Sequence, residues 1–303
     1  MKIAYLMLAH KDPEQIKRLT ERLSKTGDCY IHLDKKSNKR NFDEILRDDP
    51  GVTVLSRYSV SWAGWSMVQA YLYLLDYAYS ADKNYDRFVF MTGQDYPLMT
   101  DTRIIEEFSK NSDVEYIMAY NIRTSTIPTD KNKILKNWYF DVPFKNRFLR
   151  RCYLSFMYRF VTKPFNSKKL QVCYNGKYVD PYFGQMLSAF TRSGAELILH
   201  TYKTDKKFNK KMKLVHAAVE IYWQTIIFNS PLRKNTVQGG EEHEITEHFG
   251  WAPLHYHNYD VDTSIYTEED FEELKSSGYM FFRKVVPGIS DTLMDKIDEL
   301  RKE

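Results

Sequence analysis

The chain of 303 residues is poor in cysteine, poor in glycine and free of long apolar runs, and each shortage excludes a class of protein. Its three cysteines, Cys29, Cys152 and Cys173, form no close pair and leave one over. That excludes a disulfide framework and fits a reducing compartment. No stretch reaches the roughly 18 uninterrupted apolar residues of a membrane span, and the apolar opening, Met1 to His10, reads as a strand rather than a signal peptide. The 12 glycines make no GxGxxG loop: the first strand runs into Ala9-His10-Lys11-Asp12-Pro13, which disfavours a dinucleotide fold that cradles phosphates on backbone amides. A dominant charge is missing too. With 44 basic and 40 acidic residues the net charge is +4, too weak a field to argue for nucleic acid. Internal repeats and low-complexity segments are absent.

Aromatic residues are plentiful, with 23 Tyr, 18 Phe and 5 Trp, which suits a dense core and equally a site that stacks on sugar or base faces. IAYLMLAH reads as a strand, KDPEQIKRLTERLSK as a helix with Asp12 as cap and Pro13 in its first position, and CYIHLD as a second strand. Further strands are expected at 52–55, 85–91 and 114–119, with helices at 66–81 and at 102–110, the latter capped by Asp101. This alternation predicts an α/β fold, a mostly parallel sheet flanked by helices, with ligands at the C-terminal ends of the strands. We expect one domain over 1–303, with a nucleotide-binding half (1–120) and an acceptor-binding and catalytic half (121–303). Residues 121–178 read as long loops with one or two helices. Beyond them a strand is expected at 188–191, helices at 194–201, 220–228 and 268–276, an edge strand at 254–259 and a last segment at 279–286.

Several side chains are placed for chemistry. FVFMTGQDYPLM is an apolar run that ends in Asp95 and Tyr96 before Pro97 stops further pairing: either a capped turn or a site at a strand's C-terminal end. Asp34 follows the second strand, where an α/β domain places an acid for a ribose or base, or simply a turn acid facing water. Without a glycine loop, phosphates need side-chain cations or a metal, and FFRKV offers Arg283 and Lys284. Glu220 in AAVEIYWQTII is a single acid among apolar and aromatic residues, either a general base with a raised pKa or a surface glutamate. The Asp-x-Asp pair is Asp260 and Asp262, read as a loop; His243 and His248 are spaced wrongly for one helix face, and His255 with His257 lacks an obvious third ligand, so no metal is assigned. RFLRRCYLSFMYRFVTKPF, from Arg147 to Phe165, is a basic, aromatic stretch that fits an anionic membrane surface, a charged acceptor or an amphipathic core helix.

Taken in order, IAYLMLAHKDP, CYIHLDKKS, VSWAGWSMVQAYLYLL, YDRFVFMTGQDYPLMT, VEIYWQTIIFNS and FFRKV resemble the core-2/I-branching β-1,6-N-acetylglucosaminyltransferases and peptide O-xylosyltransferases of glycosyltransferase family 14. The resemblance spans residues 3 to 286. It implies a GT-A-like fold without a functional Asp-x-Asp, an inverting, metal-independent transfer and a UDP-sugar donor, with no cofactor. It also implies Asp34 with Lys36 at the uridine, Arg283 and Lys284 at the diphosphate, Glu220 as catalytic base, and Trp62 and Asp95 at the donor. Tyr96 and Trp223 are expected at a glycan or glycolipid acceptor. Where the family shows a GSQW-like block, this chain reads GQMLSAFTR, without the tryptophan, which bears on the acceptor. The animal relatives carry an anchor and disulfides, and their lack here leads us to expect a bacterial-type cytoplasmic enzyme of surface-glycan synthesis, resting on the inner membrane face. N-acetylglucosamine is the first choice of donor sugar, with xylose or another hexose as rivals. Two other classes are a non-catalytic glycan-binding protein and a metal-dependent hydrolase built on His255, His257 and Asp260.

Overall fold

The first third of the chain winds strands and helices alternately, because its strands are continuous apolar runs that need cover on both faces. The computed structural model describes residues 1–302 apart from 47–48, 82, 143, 145, 164–168, 243–251 and 258–263. In chain order its elements begin with β1 (Ile3–Ala9), α1 (Pro13–Leu23), β2 (Gly27–Leu33), α2 (Lys39–Leu46), β3 (Val52–Leu55), α3 (Trp65–Ser80), β4 (Arg87–Thr92), β5 (Asp95–Pro97) and α4 (Asp101–Lys110). The middle holds β6 (Tyr120–Asn121), α5 (Pro128–Leu135), α6 (Arg147–Phe156), β7 (Val172–Tyr174), β8 (Lys177–Val179), β9 (Tyr182–Phe183) and β10 (Ala189–Thr191). The last third holds α7 (Arg192–Thr204), α8 (Lys206–Met212), α9 (Tyr222–Phe228), β11 (His255–Tyr256), α10 (Phe271–Ser276), β12 (Phe281–Arg283) and α11 (Asp291–Leu300).

The main sheet runs in the order β10-β4-β1-β2-β3, parallel except for β10, which pairs antiparallel to β4. One face is covered by α3, α7 and α9, where Tyr71 stacks on Phe90 at 4.8 Å and Trp223 meets both rings edge-on. The other face buries Ile16, Leu19 and Leu23 of α1 together with Phe281 and Ile297. Each such side chain stabilises the fold by about 1.5–3 kcal/mol relative to exposure. A second sheet, β11-β12-β5, sets Arg283 opposite Asp95 in antiparallel register. It brings the end of the chain to the end of β4.

The structure departs from the sequence reading in local detail. Pro13 opens α1, but Asp12 sits in the left-handed region (φ 55°) and makes no side-chain cap. Thr100, one residue before the expected cap, accepts from the Arg103 N–H, and Asp101 lies inside α4. The strand expected at 114–119 reduces to two bridges, Glu115 with Thr236 and Tyr116 with Ala189. The reason is chemical: the Glu115 carboxylate turns inward to accept from Thr191 N–H and Oγ1 at the start of α7. The helix expected at 220–228 is a short 3-10 turn, Ala218–Glu220, followed by α9 from Tyr222.

Candidate active site

The chain moves outward from β1 to β2 and β3, then returns through α3 to β4 on the far side of β1. Such a reversal opens a crevice at the strands' C-terminal ends, where open α/β sheets bind ligands. A cleft of about 700 Å³ lies there, lined by the ends of β1 (Leu8, Ala9), β2 (Asp34) and β4 (Thr92, Gly93) and closed by Glu220 and Arg283 from the later chain. A second hollow of about 490 Å³, around Met1, Asp86 and Arg192, lies at the opposite end, where β1 and β4 begin.

Asp34 is 8% exposed and held by its neighbours: its Oδ1 accepts from Lys36 N–H (2.9 Å) and Val60 N–H (3.3 Å), and Lys36 Nζ stands 3.3 Å from Oδ2. His32 steadies the segment leading to Val60 from beneath, its Nε2 accepting from the Arg57 and Tyr58 N–H groups. Burial lowers its pKa, which keeps the ring neutral and able to accept. Sequence reasoning missed this residue; its only signal was a polar ring within an apolar strand.

Asp95 is not on the cleft surface. It is fully buried, bound to Thr92 N–H and Oγ1 at 2.7 Å each, with His255 Nε2 at 3.2 Å and Arg283 Nε at 3.7 Å. Burial would raise its pKa, but His255, Arg283 and the Thr92 N–H outweigh it and hold the carboxyl below its ordinary range. The expectation of donor contact is therefore corrected: Asp95 acts from below, aiming Thr92 and Arg283, which do line the cleft. Lys284, the next residue, exchanges backbone bonds with Ser264 and Tyr266 and is not among the cleft's lining residues. His257, unforeseen as a partner of Arg283, lines the cleft, and burial followed by the charges of Arg283 and Lys284 lowers its pKa to about 4. It is neutral at pH 7.

Glu220 faces the same cleft from the 3-10 turn, whose entry residue Ala217 adopts φ 52°. Its backbone carbonyl accepts from Gly184 N–H at 2.9 Å, and its carboxylate makes no hydrogen bond among the described residues. Burial raises the carboxyl to about 7, against the opposing pull of Lys133 and Arg283. A proton acceptor with a pKa near the working pH is what general base chemistry requires.

Trp62, 74% exposed, stands at the mouth, with its ring centroid 6.4 Å from Phe140 and 6.2 Å from His216; Trp138 stacks on Phe140 at 6.0 Å. This aromatic rim comes from three separate stretches of chain, so only Trp62 was visible beforehand. Tyr96 and Trp223, expected at the acceptor, are fully buried. Tyr96 donates to Asp298 at 2.8 Å and accepts from Arg18 at 2.9 Å, while Trp223 fills the core against Tyr71 and Phe90. Neither reaches the cleft. Asp260, Asp262, His243 and His248 lie outside the described residues. Among the described residues no three His, Cys, Asp or Glu side chains cluster as a metal would require, and no helix is long and apolar enough to cross a membrane.

A mostly parallel sheet, flanked by helices and holding its cleft at the strand ends, defines a GT-A-like α/β protein. Residues 3–275 match the Core-2/I-Branching enzyme family, and the chain belongs to it. It is 27% identical over 126 residues to xylosyltransferase 1 and 29% identical over 126 residues to xylosyltransferase 2, both of Rattus norvegicus, and 26% identical over 126 residues to xylosyltransferase 1 of Homo sapiens. Each match covers 40% of this chain but 15%, 15% and 13% of the respective relative, so the chain spans only a small part of their length. Among solved structures, a 4-diphosphocytidyl-2C-methyl-D-erythritolsynthase from Anaerococcus prevotii DSM 20548 aligns over 67% of this chain and 74% of that one, with 12% identity and a TM-score of 0.32. That likeness is too low to bear on activity.

Proposed function

We propose that the protein transfers a sugar, N-acetylglucosamine as first choice, from a UDP-sugar to a hydroxyl of a glycan acceptor, with inversion and without a metal. The observation that carries this reading is a carboxyl raised to about 7, Glu220, in one cleft with a buried acid, Asp34, and a partly buried cation, Arg283. Asp34 accepts hydrogen bonds from the uridine and Lys36 supports it. Arg283 faces the diphosphate and stabilises the charge that grows there as the sugar–phosphate bond breaks. Glu220 takes the proton of the acceptor hydroxyl as that oxygen attacks the anomeric carbon opposite the departing UDP. The exposed ring of Trp62 offers a stacking face for the acceptor sugar at the mouth.

The matched relatives are named xylosyltransferases, which makes UDP-xylose the second donor to test. Titration calorimetry with UDP and a UDP-release assay over a panel of UDP-sugars, with and without EDTA, test donor and metal together. Glu220→Gln is expected to bind UDP as the unmodified protein does and to lose turnover by on the order of a hundredfold to ten-thousandfold. In the unmodified protein kcat/KM is expected to rise with pH through about 7, as Glu220 loses its proton. Full activity of Glu220→Gln, or loss of activity in EDTA, would overturn the base assignment or the metal-independent reading respectively.

A further inference from the structure

Between Asp141 and Asp180 the chain carries nine Lys or Arg residues and no Asp or Glu. Since the whole chain is only +4, the remainder is net acidic; a second basic run, Lys203 to Lys213, has six lysines and one aspartate but lacks the aromatic residues of this stretch except Phe208, which is buried. Its centre is α6, in which no residue is buried. Phe148 (72% exposed), Leu149 and Phe156 stand in solvent, as do Phe144, Tyr158 and Phe160 on either side. At about 100° per residue, Phe148, Leu149, Cys152 and Phe156 fall on one arc of the helix, and Arg147, Arg150 and Arg151 fall on the other.

Isolated exposed apolar residues need no explanation, but an aromatic arc beside an arginine arc on an unburied helix does. A neutral apolar partner would explain the phenylalanines and leave the arginines without purpose; a free anion would do the reverse. A surface that is anionic at its face and apolar just below satisfies both. We infer that α6 is an interfacial helix that docks the protein on an anionic lipid bilayer. Tyr153 links it to the body of the protein through ring contacts with Tyr139 (6.2 Å) and Phe144 (5.5 Å). Tyr139 lies between Trp138 and Phe140 of the rim, so docking here holds the mouth of the cleft beside the headgroups. The inference does not depend on the reaction, and its test needs no turnover.

The test is co-sedimentation of the full chain with phosphatidylglycerol–phosphatidylcholine vesicles and with phosphatidylcholine vesicles alone. Binding is expected to the anionic vesicles, to fall with added salt and to be weak on the neutral ones. Each Lys or Arg near an anionic surface is worth about fivefold in partition, so Arg150→Glu with Arg151→Glu should weaken binding on the order of 25-fold or more. Phe148→Ser with Phe156→Ser should weaken binding on the same vesicles, with the far-ultraviolet circular dichroism of both variants unchanged because the residues are exposed. Equal binding to neutral vesicles, no binding to anionic ones at low salt, or undiminished binding by both variants would overturn the inference. So would a self-associated form in size-exclusion chromatography that the phenylalanine variant abolishes, since the arc would then be a contact between copies.

Discussion

Asp95 keeps its charge with no exposed surface because Thr92, His255 and Arg283 surround it. Removing one partner from such a set leaves the others uncompensated, so Asp95→Asn should destabilise the fold by about 3–5 kcal/mol, measurable by urea unfolding. A loss well under about 1 kcal/mol would show that the pairs contribute little. Because its folded pKa is depressed, Asp95 contributes stability that is present above its ordinary value, near pH 4, and is lost as pH falls through the lower folded value. Glu220 has the opposite sign. Its folded pKa of about 7 exceeds the ordinary glutamate value of 4.5, so the folded state is favoured below 4.5 and that advantage is lost as pH rises through 7. Glu220→Gln should therefore stabilise the protein at pH 8, by about 1–3 kcal/mol after allowing for partial exposure, and leave it unchanged near pH 4. Equal thermal midpoints for the two proteins at pH 8 would contradict this.

At the scale of elements, the placement of Glu220 rests on a turn that meets a neighbouring stretch of backbone at close quarters. A Cβ on Gly184 would come within 2.0 Å of the Met118 carbonyl oxygen, a backbone atom with no room to yield. Gly184 also donates to the Glu220 carbonyl, and Gln224 of α9 donates to the carbonyls of Gly184 and Gln185. Gly184→Ala should cost about 1–3 kcal/mol in overpacking and lower kcat more than it raises KM, because it shifts the base rather than the donor pocket. Unchanged kcat in a folded variant would mean that the turn does not set the base. The same segment carries GQMLSAFTR, the block without the family tryptophan, and its Gln185 and Met186 line the cleft.

At the scale of the whole molecule, α11 is tied to the first helix through two carboxylates, the exposed Asp295, which accepts from Arg18 at 2.7 Å, and the more buried Asp298. Asp298 accepts from Arg18 (2.7 Å), Arg22 (2.9 Å) and Tyr96 (2.8 Å), while Leu293, Met294 and Ile297 bury the apolar side of the helix. Asp298→Ala should destabilise by about 1–3 kcal/mol, less than a fully buried cluster would because both arginines keep some solvent. Calorimetry should show a thermal midpoint lowered by a few degrees, with turnover at low temperature unchanged, since none of these groups faces the cleft. A loss of turnover without a loss of stability would argue that Tyr96 has a role at the cleft after all.

Periodicity and composition determined the order of elements, the parallel sheet and the strand ends where Asp34 and the TGQDYP turn fall, because alternation and apolar runs are local and the rule for strand ends follows from them. Glu220 and Arg283 were visible as an acid in apolar company and a cation without a glycine loop. What no spacing could settle was which side chains share a surface. Tyr96 and Asp95 are neighbours in sequence, yet one binds α1 and α11 while the other lies under Arg283, because successive residues of a strand point to opposite faces. Trp223 looked like an acceptor platform and became core, since α9 packs beside α3 on the same face of the sheet and the Trp223 ring meets Tyr71 and Phe90 edge-on. The aromatic rim of Trp62, Trp138, Phe140 and His216, and the pairing of Asp95 with His255 and Arg283, join residues more than 70 and 150 positions apart respectively. Only tertiary packing brings such partners together, because the burial and charge that define their roles arise from surroundings that local sequence does not encode.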